Sequence, residues 1–251
     1  MSVVSEISLT PVKGFALEHL SEVELGADGV ETDRRFFLVD GEGQRLRSSV
    51  TAWPIAVGGR YDPQLERLAM TFPDGTRLEA SAVAGGDRVV GEFEGRNVPA
   101  RVVEGPWDEP LSELAGHPVR LARPERGSYL SAPVSIVSQA SVARLGEVAG
   151  DSVDGRRFRM LFTVGSCRPH EEDEWLGRRV RVGDAVVRVT APVPRCAATT
   201  RDPDTGQRDL DTLRLIKAYR GQAGDGSILF GVLGRVEQAG RVRVGDGVEP
   251  L

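Results

Sequence analysis

The sequence predicts a mainly β fold with a few helices, organised as a barrel or a sandwich. Three observations predict it. Short β-branched or aromatic runs recur through the N-terminal part of the chain, and turn signals separate them. A strand-like motif, RVRVGD, occurs twice in the C-terminal part. Apolar residues with helical spacing follow Ser138 and Asp209.

The N-terminal elements are short strands. The strand-like runs lie at residues 36–39, 68–72, 88–90 and 98–103. Glycine-containing stretches such as residues 40–43 and 73–75 separate them, as expected of turns between antiparallel strands. Breaks in this pattern between residues 105 and 130 predict a domain boundary, which we place at residue 105.

The C-terminal elements include two helices and two hairpins. One helix is predicted to open at Ser138, and a second at Asp209, which would act as its N-cap. The two RVRVGD copies, residues 179–184 and 241–246, alternate apolar and polar residues into a Gly-Asp turn. They predict two hairpins of one barrel.

Composition excludes several classes of protein. The 251 residues are 40% hydrophobic and 27% charged, with a formal charge of −5, which argues against a nucleic-acid binder. The sequence has no apolar run of about 18 residues and no signal-peptide pattern. We therefore expect a cytoplasmic protein, away from membranes, whose Cys167 and Cys196 do not form a disulfide.

Cys196 lies in the stretch PVPRCAATTRDPDTGQRD, residues 192–209. A thiolate is a nucleophile or a soft-metal ligand, and Arg195 beside it favours the charged form. No other cysteine or histidine is close in sequence, so His170 could pair with it only through the fold. A buried, inert thiol is the plain alternative. A single protein thiolate is enough for a metal whose other ligands come from an organic cofactor.

The loop around Cys196 resembles that of the MOSC proteins, named after the C-terminal domain of molybdenum-cofactor sulfurase. The shared residues are Arg195, Cys196, Thr199, Thr200, Asp202, Pro203, Thr205 and Gly206. Further stretches resemble the family in order: residues 10–13, 33–40, 134–141, 157–159, 172–175 and 229–231. The N-terminal stretches resemble the branch with an extra β-barrel domain, which includes enzymes that reduce N-hydroxylated compounds.

The resemblance implies an N-terminal β-barrel domain over residues 1–105 and a MOSC β-barrel domain over residues 106–251. We also expect the two ends of the chain to pack together, with Lys13 near Cys196. Cys196 would be the molybdenum ligand and the catalytic residue. The residues implied to hold the molybdenum cofactor (molybdopterin) are Lys13, Arg35, Ser138, Arg159, Arg195, Thr199 and Thr200.

The implied function is a molybdenum-dependent oxidoreductase that reduces small N-hydroxylated substrates such as amidoximes or hydroxylamines. Because the chain has only two cysteines, we expect a separate electron-donor protein, such as a ferredoxin or a reductase. Two other functions stay open. Cys196 could carry a persulfide in sulfur transfer, or the barrel could be a non-catalytic module that has lost its cofactor.

The sequence departs from the family next to Arg159. Met160-Leu161 stands where the family has Pro-Asn, Gly14 where it often has Ser, and residues 47–49 where it has Thr-Gln-Arg. We expect Arg159 and Leu161 on one strand, residues 158–164, with both side chains facing the cofactor. Leu161 would then leave a polar group of the pterin unpaired.

Overall fold

The fold is described by a computed structural model, for residues 1–47, 49–93, 95–125, 127–129 and 132–251. The N-terminal strands in this part of the chain are β1 (Ser2–Leu9), β2 (Glu18–Leu20), β3 (Glu22–Leu25), β4 (Phe37–Asp40), β5 (Gly58–Asp62), β6 (Arg67–Thr71), β7 (Arg77–Ser81), β8 (Arg88–Phe93), β9 (Arg96–Val103) and β10 (Val119–Pro124). The C-terminal strands are β11 (Val134–Ser138), β12 (Phe162–Gly165), β13 (Arg179–Val182), β14 (Ala185–Arg195), β15 (Ile228–Gln238), β16 (Gly240–Arg243) and β17 (Gly247–Pro250).

Helices are few and short. The α-helices of the described residues are α1 (Asp108–Ala115), α2 (Gln139–Ala149) and α3 (Thr212–Arg220). Single-turn 3₁₀ helices lie at Trp53–Ala56, Gly155–Phe158, Glu171–Trp175 and Ala197–Thr200. No helix in these ranges has the length and apolar character needed to cross a bilayer. The predicted fold class, mainly β with a few helices, is confirmed.

Seven strands close into a barrel. Their order is β12–β11–β15–β14–β13–β17–β1, and β1 then pairs back onto β12. Neighbours are antiparallel except β11 and β12, which are parallel. Ser2 of β1 pairs with Val248 of β17, so the two ends of the chain meet, as predicted. Closure leaves no unpaired edge in the ring.

A β-bulge in β1 explains how this strand fills the barrel. Val4 and Ile7 are both buried in the barrel core, although alternation would place residues three apart on opposite faces. The register of β1 against β12 shifts between Val4 and Glu6. The extra residue returns Ile7 and Leu9 to the inner face.

The remaining large sheets form an N-terminal half-barrel. One has the order β4–β10–β9–β8 and the other β5–β6–β7. Phe15, Phe36 and Trp107 are fully buried in its core. The half-barrel includes a strand that follows residue 105, because β10 pairs with β4 and β9. Conversely, β1 precedes residue 105 but belongs to the closed barrel.

The two predicted helices occur, and one starts later than expected. Ser138 caps α2, and its Oγ accepts a hydrogen bond from Ser141 N at 2.9 Å. The prediction that Asp209 caps the next helix is wrong. Asp211 caps α3 by accepting from Arg214 N at 3.0 Å. Asp209 is occupied elsewhere, since its carboxylate accepts two hydrogen bonds from Arg157.

The two RVRVGD copies have different partners. The first copy turns from β13 into β14 as a hairpin, with Val182 paired to Ala185, as predicted. The second copy does not form a hairpin, because β16 pairs with β3 and β17 pairs with β1 and β13. Opposite charges match across β16 and β3: Arg243 contacts Glu22 at 3.2 Å, and Arg241 contacts Glu24.

Candidate functional site

A cavity of about 380 Å³ lies between the half-barrel and the closed barrel, and both contribute to its walls. Its cationic lining residues are Lys13, Arg34, Arg45, Arg47, Arg157, Arg159 and Arg195. Among the described lining residues only Glu92 is acidic. Cys196 and Thr199 also line it. The predicted approach of Lys13 to Cys196 is therefore confirmed, and the cavity suits an anion.

Cys196 follows the last residue of β14 and has an exposed thiol. The chain turns directly after it into the 3₁₀ helix Ala197–Thr200. Its carbonyl oxygen accepts hydrogen bonds from the backbone N–H and from Oγ1 of Thr199, both at 3.1 Å. The backbone of Cys196 is thus fixed while its sulfur faces the cavity.

Thr199 and Thr200 have different roles in this loop. Thr199 is buried, and its Oγ1 also lies 2.7 Å from Oγ1 of Thr212 at the start of α3. It therefore connects the Cys196 loop to a helix. Thr200 does not line the cavity, because its hydroxyl donates to the carbonyl of Ala197 at 2.7 Å. Both support the loop through hydrogen bonds.

Arg195 uses its guanidinium to hold backbone. Nε donates to the carbonyl of Phe230 at 2.8 Å, and Nη1 donates to the carbonyl of Phe158 at 3.0 Å. Its guanidinium also lies 5.2 Å from the ring of Phe158. Burial lowers the pKa of Arg195 to about 9. Arg195 therefore joins three segments around Cys196 and places a half-buried positive charge next to it in sequence.

Lys13 is a half-buried cation of the same cavity. Its Nζ donates to the carbonyl of Ser128 at 3.2 Å and lies 5.5 Å from the ring of Phe93. Burial lowers the pKa of Lys13 to about 7, and repulsion by Arg34, Arg45 and Arg159 contributes. A bound anion would offset both effects, so this lysine is placed to bind one.

Arg34 and Arg159 contact each other across the two units. Nη2 of Arg34 donates to the carbonyl of Arg159 at 2.7 Å, and its Nη1 pairs with the buried carboxylate of Asp33. Arg159 Nη2 donates to the carbonyl of Phe15 at 2.5 Å. Burial, and secondarily Arg34, lowers the pKa of Arg159 to about 9. These contacts tie the units together at the anion-binding wall.

Arg45, Arg47 and Glu92 form the outer wall. Nε of Arg45 donates to the carbonyl of Glu92 at 2.6 Å, and its guanidinium lies 4.3 Å from the ring of Phe93. Arg47 pairs with the carboxylate of Glu92 at 2.5 Å. The sequence departs from the family at residues 47–49, and two residues of this stretch, Arg47 and Ser49, line the cavity.

Arg35, Ser138 and Thr200 are the three predicted cofactor contacts that do not line the cavity. Arg35 does not line it, and its Nη1 donates to the carbonyl of Glu125 at 2.9 Å. Arg34 lines it instead, from a turn before β4 where its backbone has a positive φ of 50°. Ser138 is fully buried, and its Oγ lies 2.6 Å from Oγ of Ser141. Ser138 thus acts as a helix cap.

The prediction for Arg159 and Leu161 is wrong in its geometry. Arg159 ends a 3₁₀ helix with a φ of 53°, and strand β12 begins only at Phe162. This left-handed turn sends Leu161 into the barrel core, where it is fully buried. Met160 lines the cavity in its place. Leu161 therefore replaces no cavity-facing amide.

The other thiol and the nearest candidate histidine lie outside the cavity. Cys167 and Cys196 are both free, and Cys167 Sγ is 3.6 Å from the carbonyl of Val164. His170 lies 3.2 Å from the hydroxyl of Tyr219, and burial lowers its pKa to about 4. The fold does not unite His170 with Cys196.

Alternation and loop patterns could not identify Arg34, Arg45 and Arg157 as cavity residues. Arg157 is buried, donates to both carboxylate oxygens of Asp209, and has an Nε atom without a hydrogen-bond partner among the described residues. For Arg34 and Arg157 the available signal is the Arg-Arg pair in which each lies, residues 34–35 and 156–157. One arginine of each pair lines the cavity and the other does not.

The residues of the cavity fit a molybdenum cofactor. Half-buried cations with lowered pKa values suit its phosphate, and an exposed thiol suits a soft metal. The described residues contain no group of three or more His, Cys, Asp or Glu side chains that could hold a metal by themselves. A metal at Cys196 would therefore take its other ligands from an organic group.

Fold and cavity together define a two-unit β protein with a thiol in a pocket lined mainly by cationic side chains. The chain belongs to the MOSC domain family: residues 125–249 match the MOSC domain, and residues 1–105 match the MOSC N-terminal beta barrel domain.

The chain is related to the mitochondrial amidoxime-reducing components. It is 27% identical to mitochondrial amidoxime reducing component 2 of Bos taurus over 99% of this chain and 83% of that protein. It is likewise 27% identical to component 1 of Homo sapiens, over 99% of this chain and 82% of that protein. A crystal structure of the YUAD protein from Bacillus subtilis aligns with a TM-score of 0.46 and 12% identity, covering 100% of this chain and 96% of that one.

Proposed function

We propose that the protein is a molybdenum-cofactor-binding oxidoreductase that reduces small N-hydroxylated molecules such as amidoximes and hydroxylamines. The observation that carries the proposal is the exposed Cys196 thiol, which shares one cavity with a cluster of lysine and arginine side chains. Full-length similarity to proteins named for amidoxime reduction supports the substrate class. We also propose a reducing, cytoplasmic location, where Cys196 stays a thiol.

The cavity residues would divide the work of holding the cofactor. Cys196 would provide the one protein ligand to molybdenum. Lys13, Arg34 and Arg159 would bind the phosphate, since they converge from both units. When bound, the cofactor would supply the two-electron chemistry that removes oxygen from the substrate nitrogen.

The chain's own contribution is positioning and charge. Thr199 and Arg195 fix the backbone on either side of Cys196, so the cysteine would need little rearrangement to bind the metal. Lys13 would hold its proton when an anion binds, because the anion offsets its burial. Arg47 and Glu92 are exposed residues of the cavity lining and would be among the first side chains that an entering substrate meets.

The reaction needs electrons from outside the cavity. The chain has two cysteines, fewer than the four that an iron–sulfur cluster needs. We therefore propose a separate electron-donor protein, such as a ferredoxin or a reductase.

An activity assay with an artificial donor tests the proposal. Protein is produced in a host that makes the cofactor, dithionite-reduced methyl viologen is the reductant, and benzamidine formed from benzamidoxime is measured by chromatography. Wild type and Cys167→Ser should form benzamidine, and Cys196→Ser should not. Equal activity of the two cysteine variants would contradict the proposal.

The sulfur-carrier alternative predicts a different result. The exposed thiol would then be found with one added sulfur atom on the Cys196 peptide by mass spectrometry. It would also react with iodoacetamide in protein that contains molybdenum. A metal ligand should be protected from alkylation as long as the metal is bound.

A further inference from the structure

The outer wall of the cavity includes a loop with little packing of its own. This rim loop comprises residues 47 and 49–51, and its Arg47 and Ser49 line the cavity. The N–H groups of Val50 and Thr51 donate to the carbonyl of Arg47 at 2.9 and 2.8 Å. The side chain of Val50 is 76% exposed, so apolar burial does not fix the loop. Its position depends on polar contacts.

Arg201 supplies such a contact from the Cys196 side. Its Nη2 donates to the carbonyl of Val50 at 3.0 Å and lies 3.5 Å from that of Ser49. Its Nη1 donates to the carbonyl of Gly206 at 3.0 Å. The guanidinium therefore bridges the rim loop and the turn that follows Cys196. Charge-assisted bonds of this kind are the stronger hydrogen bonds of proteins.

A close backbone approach places Arg201 beside the rim loop. Gly206 has a positive φ of 71°, and a Cβ atom there would lie 2.9 Å from both the carbonyl oxygen of Ala52 and Cγ2 of Ile55. The turn after Cys196 thus abuts the chain that leaves the rim loop. Glycine at residue 206 permits this approach.

We infer that Arg201 is a positioning residue that holds the rim loop against the Cys196 segment and so sets the size of molecules that reach the thiol. Arg201 itself does not line the cavity. It acts through Ser49 and Val50, whose carbonyls it binds. The claim that Arg201 affects substrate selection rests on the proposed function. The claim that Arg201 affects access to the Cys196 thiol does not.

Alkylation of Cys196 with two reagents of different size tests the inference. The full chain is prepared without cofactor in a Cys167→Ser background, so that Cys196 is the one thiol. Rates are compared for small iodoacetamide and bulky fluorescein maleimide. Arg201→Met keeps the aliphatic stem but removes the donors, and Arg214→Met, at an arginine 80% exposed, is the matched control.

We expect Arg201→Met to raise the alkylation rate with the bulky reagent about tenfold. Loss of one charge-assisted hydrogen bond shifts the equilibrium between closed and open loop by about this factor. The rate with iodoacetamide should change less than about twofold, and Arg201→Lys should lie between wild type and Arg201→Met. Equal changes for both reagents, or none, would overturn the inference. If Arg201→Met does not fold, the reagent ratio of Arg201→Lys decides.

Activity provides a second and separable readout. In a preparation that reduces benzamidoxime, Arg201→Met should lower the KM of bulky amidoximes more than that of small ones, with kcat little changed. A KM independent of substrate size would contradict a role of the rim loop in selection. If wild type has no activity, the proposed function fails, and the alkylation ratio still decides the role of Arg201.

Discussion

Lys13 should destabilise the ligand-free protein in a pH-dependent way. Its pKa is lowered from 10.5 to about 7, chiefly by burial. Between these values the unfolded chain holds the proton and the folded chain releases it, so stability rises with pH. Below pH 7 both states are protonated, and the full cost of burying the charge is present.

The magnitude follows from the two pKa values. One pKa unit corresponds to about 1.4 kcal/mol, so the lowering from 10.5 to about 7 corresponds to a cost on the order of 5 kcal/mol as an upper bound. Lys13→Met removes the charge and keeps an apolar stem beside the Phe93 ring. The variant loses the hydrogen bond to Ser128 but should be more stable than wild type at pH 6.5, by less than about 5 kcal/mol. Its advantage should shrink above pH 7, by at most about 1.4 kcal/mol per pH unit.

Urea unfolding at pH 6.5, 8 and 9.5, in buffers free of phosphate and sulfate, measures the effect. The chain provides a matched control, because its only other lysine, Lys217, lies exposed in α3. Lys217→Met should change stability by less than about 0.5 kcal/mol at every pH. Added sulfate should stabilise wild type most at pH 6.5. A Lys13→Met protein that is less stable than wild type at pH 6.5 would refute the reasoning.

Three further substitutions test local parts of the structure by urea unfolding. Leu161→Asn should lower stability by roughly 1–3 kcal/mol, because it buries an unpaired amide, and should not raise molybdenum content; a gain in metal by elemental analysis would contradict the core position. Thr199→Val, which loses the bond to Thr212, should cost about 1 kcal/mol more than Thr200→Val; equal costs would contradict the link to α3. Asp211→Ala should cost about 1 kcal/mol, as expected for a lost N-cap, and an unchanged midpoint would contradict that role.

Local patterns predicted much of the chain. Turn signals and β-branched runs located β4, β6, β8 and β9, and the first RVRVGD copy formed the expected hairpin because its partner follows directly in sequence. The second copy could not be interpreted in this way, since β16 pairs with β3, more than two hundred residues earlier. No local periodicity encodes such a pairing, nor the closure of the barrel by β1.

The same limit applies to the candidate site. The Cys196 loop carries enough specific residues to be recognised, and Lys13 does approach it. The choice between Arg34 and Arg35 depended on one positive φ angle, as did the direction of the chain after Arg159. Strand alternation fails at such residues, because a left-handed backbone turns the following side chains to another face.

Molybdenum content per chain tests the central claim most directly. Wild type, Cys196→Ser and Cys167→Ser are purified from a host that supplies the cofactor, and molybdenum is measured by mass spectrometry of the digested protein. Wild type and Cys167→Ser should contain molybdenum in near-equimolar amounts, and Cys196→Ser should have lost most of it. Equal molybdenum in wild type and Cys196→Ser, or none in any of the three, would contradict the assignment of Cys196 as the metal ligand.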